Sequence, residues 1–154
     1  MKLSKVLNDI ATAIATDAAI ETFCQTNFGK SVSVYIHIDK KNPPSVSKSP
    51  WVGLAIQGYR NPTQTNGKTM EFDLESYICC NEDGETVVGK ITTLDGFSVI
   101  EDFSDLVLNS IETILQTSAT QLDLTINSEG QTSLIITDFP GWMAARVFTA
   151  SKRI

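Results

Sequence analysis

A tyrosine, a histidine and an aspartate at alternate positions are the first residues of this chain whose types could do chemistry. Tyr35, His37 and Asp39 lie in a stretch where apolar and polar residues alternate, so in a strand they share one face. Asp39 could then orient His37 as a general base. No nucleophile stands at a recognisable spacing from this pair, and the sequence has no G-x-S-x-G motif. We therefore predict a polar strand face, in solvent or at an interface, and no catalytic residue.

The three cysteines offer little scope for metal or redox chemistry. Cys79 and Cys80 are adjacent in a predicted strand, where neighbouring side chains point to opposite faces and cannot converge on one ion. Cys24 is predicted as a core or helix-end residue. An odd number of cysteines fits no disulfide framework and indicates a reducing cytoplasm. Because His37 is also the single histidine, we predict no metal site and no cofactor.

Three carboxylates follow each other on one face of a predicted strand. Glu71, Asp73 and Glu75 alternate with the apolar residues Met70, Phe72 and Leu74. Like charges in this arrangement repel one another unless water or cations surround them. Two interpretations stay open: a solvated face of the sheet, or an acidic wall that lines an interface or a lumen. A catalytic pair would need environments that separate the two pKa values, and nothing in the sequence indicates that.

Two further segments are candidates for contacts with other proteins. The loop from Lys40 to Pro50 contains three lysines, Lys40, Lys41 and Lys48, together with three prolines. Two interpretations stay open: a flexible loop in solvent, or a contact with a neighbouring subunit. The segment from Phe139 to Met143 places Trp142 directly after a Pro-Gly break. Trp142 could pack against a helix, or it could be an exposed aromatic anchor at a subunit contact.

Length and charge exclude several classes of protein. With 154 residues the chain is predicted to form a single domain over 1–154. Its formal net charge of −6 disfavours specific nucleic-acid binding, which depends on lysine and arginine. No apolar run approaches the ~20 residues that span a bilayer, and the N-terminus is not typical of a signal peptide. We predict no membrane association and no small-molecule substrate.

Periodic patterns predict two helices and six strands. Apolar residues recur every three to four positions in residues 2–24 and 98–117, as in amphipathic helices. Gly29 suits the end of the first helix, and Ser98 with Glu101 matches the capping box that starts the second. Alternating or apolar runs bounded by Gly, Pro and Asn predict the strands. These strands are 32–39, 51–59, 69–80, 121–127, 133–137 and 142–150.

The predicted order is α-β-β-β-α-β-β-β, which favours an α+β fold. Residues 87–97 fit either a short strand or the entry to the second helix, and residues 128–130 fit a turn between two strands. The connections between strands are short, as in hairpins. We therefore expect two helices packed on one face of a mainly antiparallel or mixed sheet.

This order resembles that of the tail terminator, or tail-completion, proteins of long-tailed bacteriophages such as phage lambda. The resemblance covers roughly residues 2–150: an N-terminal helix, a strand like 32–39, a Pro-rich loop leading into Trp51–Ile56, a strand with alternating acids, a long helix and C-terminal strands. It implies a non-enzymatic subunit of a homo-oligomeric, hexameric ring, made in the host cytoplasm and then part of the virion. Such a ring caps the tail tube and joins tail to head, its partners being the tube and head-completion proteins.

Under this resemblance, Glu71, Asp73 and Glu75 would face a channel and repel passing DNA, while Lys40, Lys41 and Lys48 would contact the tube or a neighbouring subunit. A second hypothesis is an acidic binding module, such as an inhibitor or immunity-like protein that masks a basic partner through complementary charge. A third, an enzyme using carboxylates, His37 or a cysteine, lacks a recognisable constellation, and we predict that the chain is not an enzyme.

Overall fold

The protein has an α+β fold, as the sequence predicts. The computed structural model describes residues 3–39, 41–60, 69–122, 124–126, 131–136 and 140–153, with side chains in 3–39, 41–57, 71–115 and 140–151. Its helices are α1 (Leu3–Thr16), α2 (Ala18–Phe28) and α3 (Gly96–Leu122), with a 3-10 turn at Val46–Lys48. Its strands are β1 (Ser33–Ile36), β2 (Trp51–Arg60), β3 (Thr69–Asn81), β4 (Glu85–Val88), β5 (Ile91–Leu94), β6 (Leu124–Ile126), β7 (Gln131–Ile136) and β8 (Gly141–Arg153).

The N-terminal helical segment is broken at Asp17, so the prediction of one helix over 2–24 is wrong. Asp17 has an extended backbone, and its side chain accepts the amide N–H groups of Ala19 and Ile20. An aspartate in this position satisfies the first amides of a new helix better than it continues the old one. The predicted end is confirmed, because Gly29 closes α2 in the left-handed conformation with φ of 64°.

The long helix α3 begins two residues before the predicted start. The N–H of Val99 bonds the carbonyl of Asp95 at 3.1 Å, and the Ser98 hydroxyl donates to the same carbonyl. Ser98 thus lies inside the first turn rather than at the N-cap, and the predicted capping box with Glu101 does not form the helix start. Asp95 takes the N-cap position instead.

One mixed sheet of six strands positions these helices. Its order is β1-β2-β3-β8-β6, with β7 also paired to β8. β1 runs parallel to β2, and the other pairs in this sheet are antiparallel. β6 and β7 pair with consecutive parts of the same strand, β8. The last residue of β6, Ile126, lies opposite Ala150, and the first residue of β7, Gln131, lies opposite Val147. These two strands are not the two arms of a hairpin, and the predicted turn at 128–130 lies outside the described residues.

The helices cover one face of the sheet, as predicted. Even-numbered residues of β2, β3 and β8 point to this face and form the core with α1, α2 and α3. The fully buried side chains include Leu54, Phe72, Ile78, Phe103 and Phe148. On the opposite face, Trp51 is also fully buried, and its indole N–H donates to the carbonyl of Ser45 in the segment that leads from β1 to β2. Both faces of the central strands therefore contribute buried residues.

Candidate interaction site

A two-stranded hairpin outside the main sheet carries the most unusual surface of the described chain. β4 and β5 pair antiparallel from Glu85 opposite Leu94 to Val88 opposite Ile91, across a turn in which Gly89 has a φ of 63°. The sequence pattern left residues 87–97 open between a strand and a helix entry. The structure contains both, because β5 ends at Leu94 and α3 starts at Gly96.

Both faces of this hairpin are exposed. Alternation places Val88 and Ile91 on one face and Val87 and Leu94 on the other, and every residue of both strands is exposed. The exposed fractions are 60% for Val87, 71% for Val88, 69% for Ile91, 39% for Leu94 and 42% for the adjacent Phe97. We call residues 85–97 the apolar hairpin. An isolated hairpin is marginal in water, and a cluster of exposed large apolar residues is typical of an interaction site.

The base of the apolar hairpin is held firmly to the core. The indole N–H of Trp142 donates to the carbonyl of Glu82 at 3.0 Å, and the ring lies directly against Gly96. A Cβ on Gly96 would come within 1.9 Å of the indole nitrogen, so glycine is required for this close approach. At the same level, the Thr86 hydroxyl donates to the carboxylate of Asp95. The hairpin thus has an anchored base and an exposed end.

This arrangement also decides between the two interpretations of Trp142 that the sequence leaves open. Trp142 is only 3% exposed and belongs to the hydrophobic core. Of the two interpretations of the sequence, packing against a helix is the observed one. The Pro140-Gly141 break brings the chain into β8, and Trp142 opposite Cys80 then points to the helical face.

A shallow groove runs between α1–α2 on one side and α3 on the other. It consists of two adjoining depressions of about 450 and 560 Å³ that share Ala19 and Leu106. Small side chains on α1 and α2 leave the larger residues of α3 partly uncovered. The surface of the groove includes Ala13, Ala19, Phe23, Leu106, Thr113 and Ile114. We call it the helical groove.

The helices that form this groove are net negative. The three helices carry six acidic residues and one lysine, Lys5, which pairs with Asp9. Hydrogen bonds from Gln25 and then from Ser31 hold the pKa of Glu21 below its usual value. Asp105 is paired with Arg146, which also donates to Ser104 at 2.8 Å. Six acidic residues against one lysine give the three helices a net charge of −5.

The predicted acidic row on β3 shares one face but is not evenly solvated. Glu75 is 8% exposed and accepts a hydrogen bond from the Tyr77 hydroxyl. Asp73 is half-buried and accepts the hydroxyl of Thr149 at 2.8 Å, and Glu71 is half-buried too. Of the two interpretations that the sequence leaves open, a fully solvated face does not hold at Glu75, which is buried and bonded to the Tyr77 hydroxyl.

The predicted alignment of Tyr35, His37 and Asp39 is also wrong. β1 ends at Ile36, and His37 adopts a left-handed backbone with φ of 61°, which interrupts the alternation. The carboxylate of Asp39 accepts the N–H of Lys41 in a local turn. The three side chains border a polar depression beside the 43–48 segment, and they do not form the predicted strand face.

The three cysteines are buried, and the described lysines of the loop before β2 are exposed. Cys79 and Cys80 point to opposite faces as predicted, yet both are fully buried, as is Cys24. Burial raises the pKa of each of these thiols to about 12. Lys41 and Lys48 are exposed in the loop before β2, and Lys40 lies outside the described residues.

The apolar hairpin is the feature that sequence reasoning missed. Its signal was present, because Thr86-Val87-Val88 and Ile91-Thr92-Thr93 flank Gly89-Lys90 and have the β-branched composition of a hairpin. The composition does not reveal that both faces of the hairpin are exposed, because the same residue types would also suit a buried strand.

The described residues contain neither a cluster of metal-ligating side chains nor a membrane-spanning helix. No group of three or more histidine, cysteine, aspartate or glutamate side chains there could hold a metal ion. None of the helices in this part of the chain has both the length and the apolar character of a membrane span. Compared with models of known protein families and with curated protein sequences, the chain has no significant match.

Proposed function

We propose that this protein is a non-enzymatic structural subunit that assembles with its own copies into a ring, of the kind that caps a bacteriophage tail tube and joins it to the head. The observation that carries the proposal is the apolar hairpin, with Val88 and Ile91 about 70% exposed on an anchored base. When a partner covers exposed apolar surface of this kind, the free energy of the system falls, so association is favoured.

A homo-oligomer is favoured because the hairpin belongs to the fold rather than to a tail of the chain. It connects β3 to α3, two elements of the core, and its base is fixed by Trp142. Every copy therefore presents it in the same orientation, which is what a symmetric assembly needs. In such a ring the partly exposed Glu71 and Asp73 would add negative charge to a channel wall and repel DNA phosphates.

The test is the oligomeric state of the full-length chain. Light scattering coupled to size exclusion should give one discrete oligomer above about micromolar concentration, and negative-stain images should show rings with a central opening. Val88→Ser with Ile91→Ser should give a folded monomer. The matched control is Thr92→Ser with Thr93→Ser in the same strand, which should assemble like the wild type.

The acidic helical layer favours a second candidate, a module that binds a basic partner. This function predicts a monomeric wild-type chain that forms a one-to-one complex weakened by salt. A monomer at all concentrations, unaffected by the Val88 and Ile91 substitutions, would contradict the ring and favour the binding module.

A further inference from the structure

We propose that the apolar hairpin of one copy docks in the helical groove of a second copy. This inference rests on the proposed function, because it specifies the contact through which the ring would form. It joins two surfaces of the same chain that are both apolar and both uncovered. One projects as the exposed strands β4 and β5, and the other is concave between α1–α2 and α3.

The two surfaces match in chemistry. The end of the hairpin presents Val88 and Ile91, and the groove presents Leu106 and Phe23 beside small side chains such as Ala19. Depressions of about 450 and 560 Å³ lie in the range of sites that hold several bulky groups. Small residues along one helix also allow a partner backbone to approach closely.

Charge supports a second copy as the occupant. Lys90 is exposed at the hairpin turn, whereas Glu85 and Asp95 lie at the far end of the strands. The groove surface includes Asp17, and Asp102 lies one helical turn before Leu106 on the same face of α3. A neighbouring Lys90 would therefore meet negative charge when the apolar side chains dock.

The hairpin cannot reach the centre of its own groove. α3 starts at Gly96, so Asn109 in the groove is about 20 Å along the helix from the hairpin base. Strands of four residues extend only about 13 Å. The contact is therefore intermolecular, and it joins different surfaces of the two copies. Such heterologous contacts close into rings when the rotation allows it.

Disulfide trapping between two variants that each carry one added cysteine tests this contact. Ile91→Cys and Asn109→Cys both substitute exposed residues, and the native thiols are fully buried. The variants are mixed, dissociated, reassembled and treated with a mild oxidant. We expect at least about tenfold more cross-linked dimer than with Ile91→Cys and Ser4→Cys, because a disulfide needs neighbouring Cβ atoms.

A charge exchange provides the second measurement. Lys90→Glu and Asp102→Lys should each weaken assembly about tenfold at low salt, and the double variant should recover to within about threefold of the wild type. Thermal melting of each variant as a dilute monomer controls for folding.

The outcomes separate this inference from the proposed function. An oligomer in which Ile91→Cys cross-links to itself or equally to Ser4→Cys, or in which the charge exchange restores nothing, would overturn the docking mode alone. A wild-type chain that stays monomeric would overturn both, because no second copy would be bound.

Discussion

Strand β3 and the apolar hairpin that follows it reverse the usual relation between polarity and exposure. In β3, Glu75 is 8% exposed, and its carboxylate accepts a hydrogen bond from the Tyr77 hydroxyl. A few residues later, Val88 and Ile91 are about 70% exposed. β3 has strands on both sides, so its side chains are covered by cross-strand neighbours whatever their polarity. β4 and β5 pair only with each other within the described sheets, and every residue of both strands is exposed.

Trp142 links the two regions, and its removal should have the largest effect. The residue pairs with Cys80 at the end of β3 and bonds Glu82 at the base of the hairpin. Trp142→Ala should lower the free energy of unfolding by about 3–5 kcal/mol, since a buried aromatic ring is lost. Urea denaturation measures this loss. A loss below about 1 kcal/mol would mean that the base is not anchored as described.

Alkaline pH should weaken β3 and the helical core. Burial raises the pKa of Cys24, Cys79 and Cys80 from an ordinary 9.0 to about 12. Between these values the unfolded chain releases protons that the folded chain retains, so stability is complete below pH 9 and falls as pH rises toward 12. The expected loss from pH 8 to 10 is about 1 kcal/mol per thiol.

Denaturation curves at several pH values measure this dependence. Cys80→Ala is the matched variant, and it should show a shallower decline than the wild type because one thiol no longer titrates in the unfolded chain. Equal slopes in the two proteins would contradict a role for this buried thiol.

The hydroxyl of Tyr77 should matter to the buried carboxylate of Glu75. Tyr77→Phe keeps the ring and removes one donor to Glu75, which should cost about 1–3 kcal/mol. Tyr35→Phe is a suitable control, because Tyr35 lies on the same sheet face on the other side of Gly53. Similar small effects in both variants, measured by chemical denaturation, would mean that the Glu75 carboxylate is effectively solvated.

The elements that could be predicted are those whose local pattern decides their structure. The apolar stripe of α3, the alternation in β3 and the glycine stop at Gly29 depend on nearby residues. The break at Asp17 was harder to predict, because alanines on both sides continue the helical pattern and a short aspartate side chain overrides it.

The arrangement of the strands could not be predicted in the same way. The parallel pairing of β1 with β2 and the shared edge of β6 and β7 depend on partners distant in sequence. The candidate site depends on which elements pack over its residues, and the periodic pattern of a sequence does not show this. The sequence therefore left open whether Glu75 is solvated or part of an interface, and whether residues 87–97 form a strand or the entry to a helix.

A buried and an exposed valine, Val52 and Val88, provide the most direct comparison. The smallest effect on stability is expected at Val88. Val52 in β2 is fully buried, and Val88 in β4 is 71% exposed. In dilute monomer, Val52→Ala should cost about 2 kcal/mol, because methyl groups are lost from the core. Val88→Ala should change stability by less than about 0.5 kcal/mol.

At concentrations where the chain assembles, the order of the two effects should reverse. Val88→Ala removes apolar surface that docking would bury, so it should raise the dissociation constant of the oligomer. Val52 has no exposed surface to contribute, so Val52→Ala should leave that constant unchanged as long as the monomer is folded. Sedimentation of both variants over a range of concentrations measures the constants. An unchanged constant for Val88→Ala would mean that the hairpin is exposed in the assembly as well, and its apolar surface would then be available to a different partner.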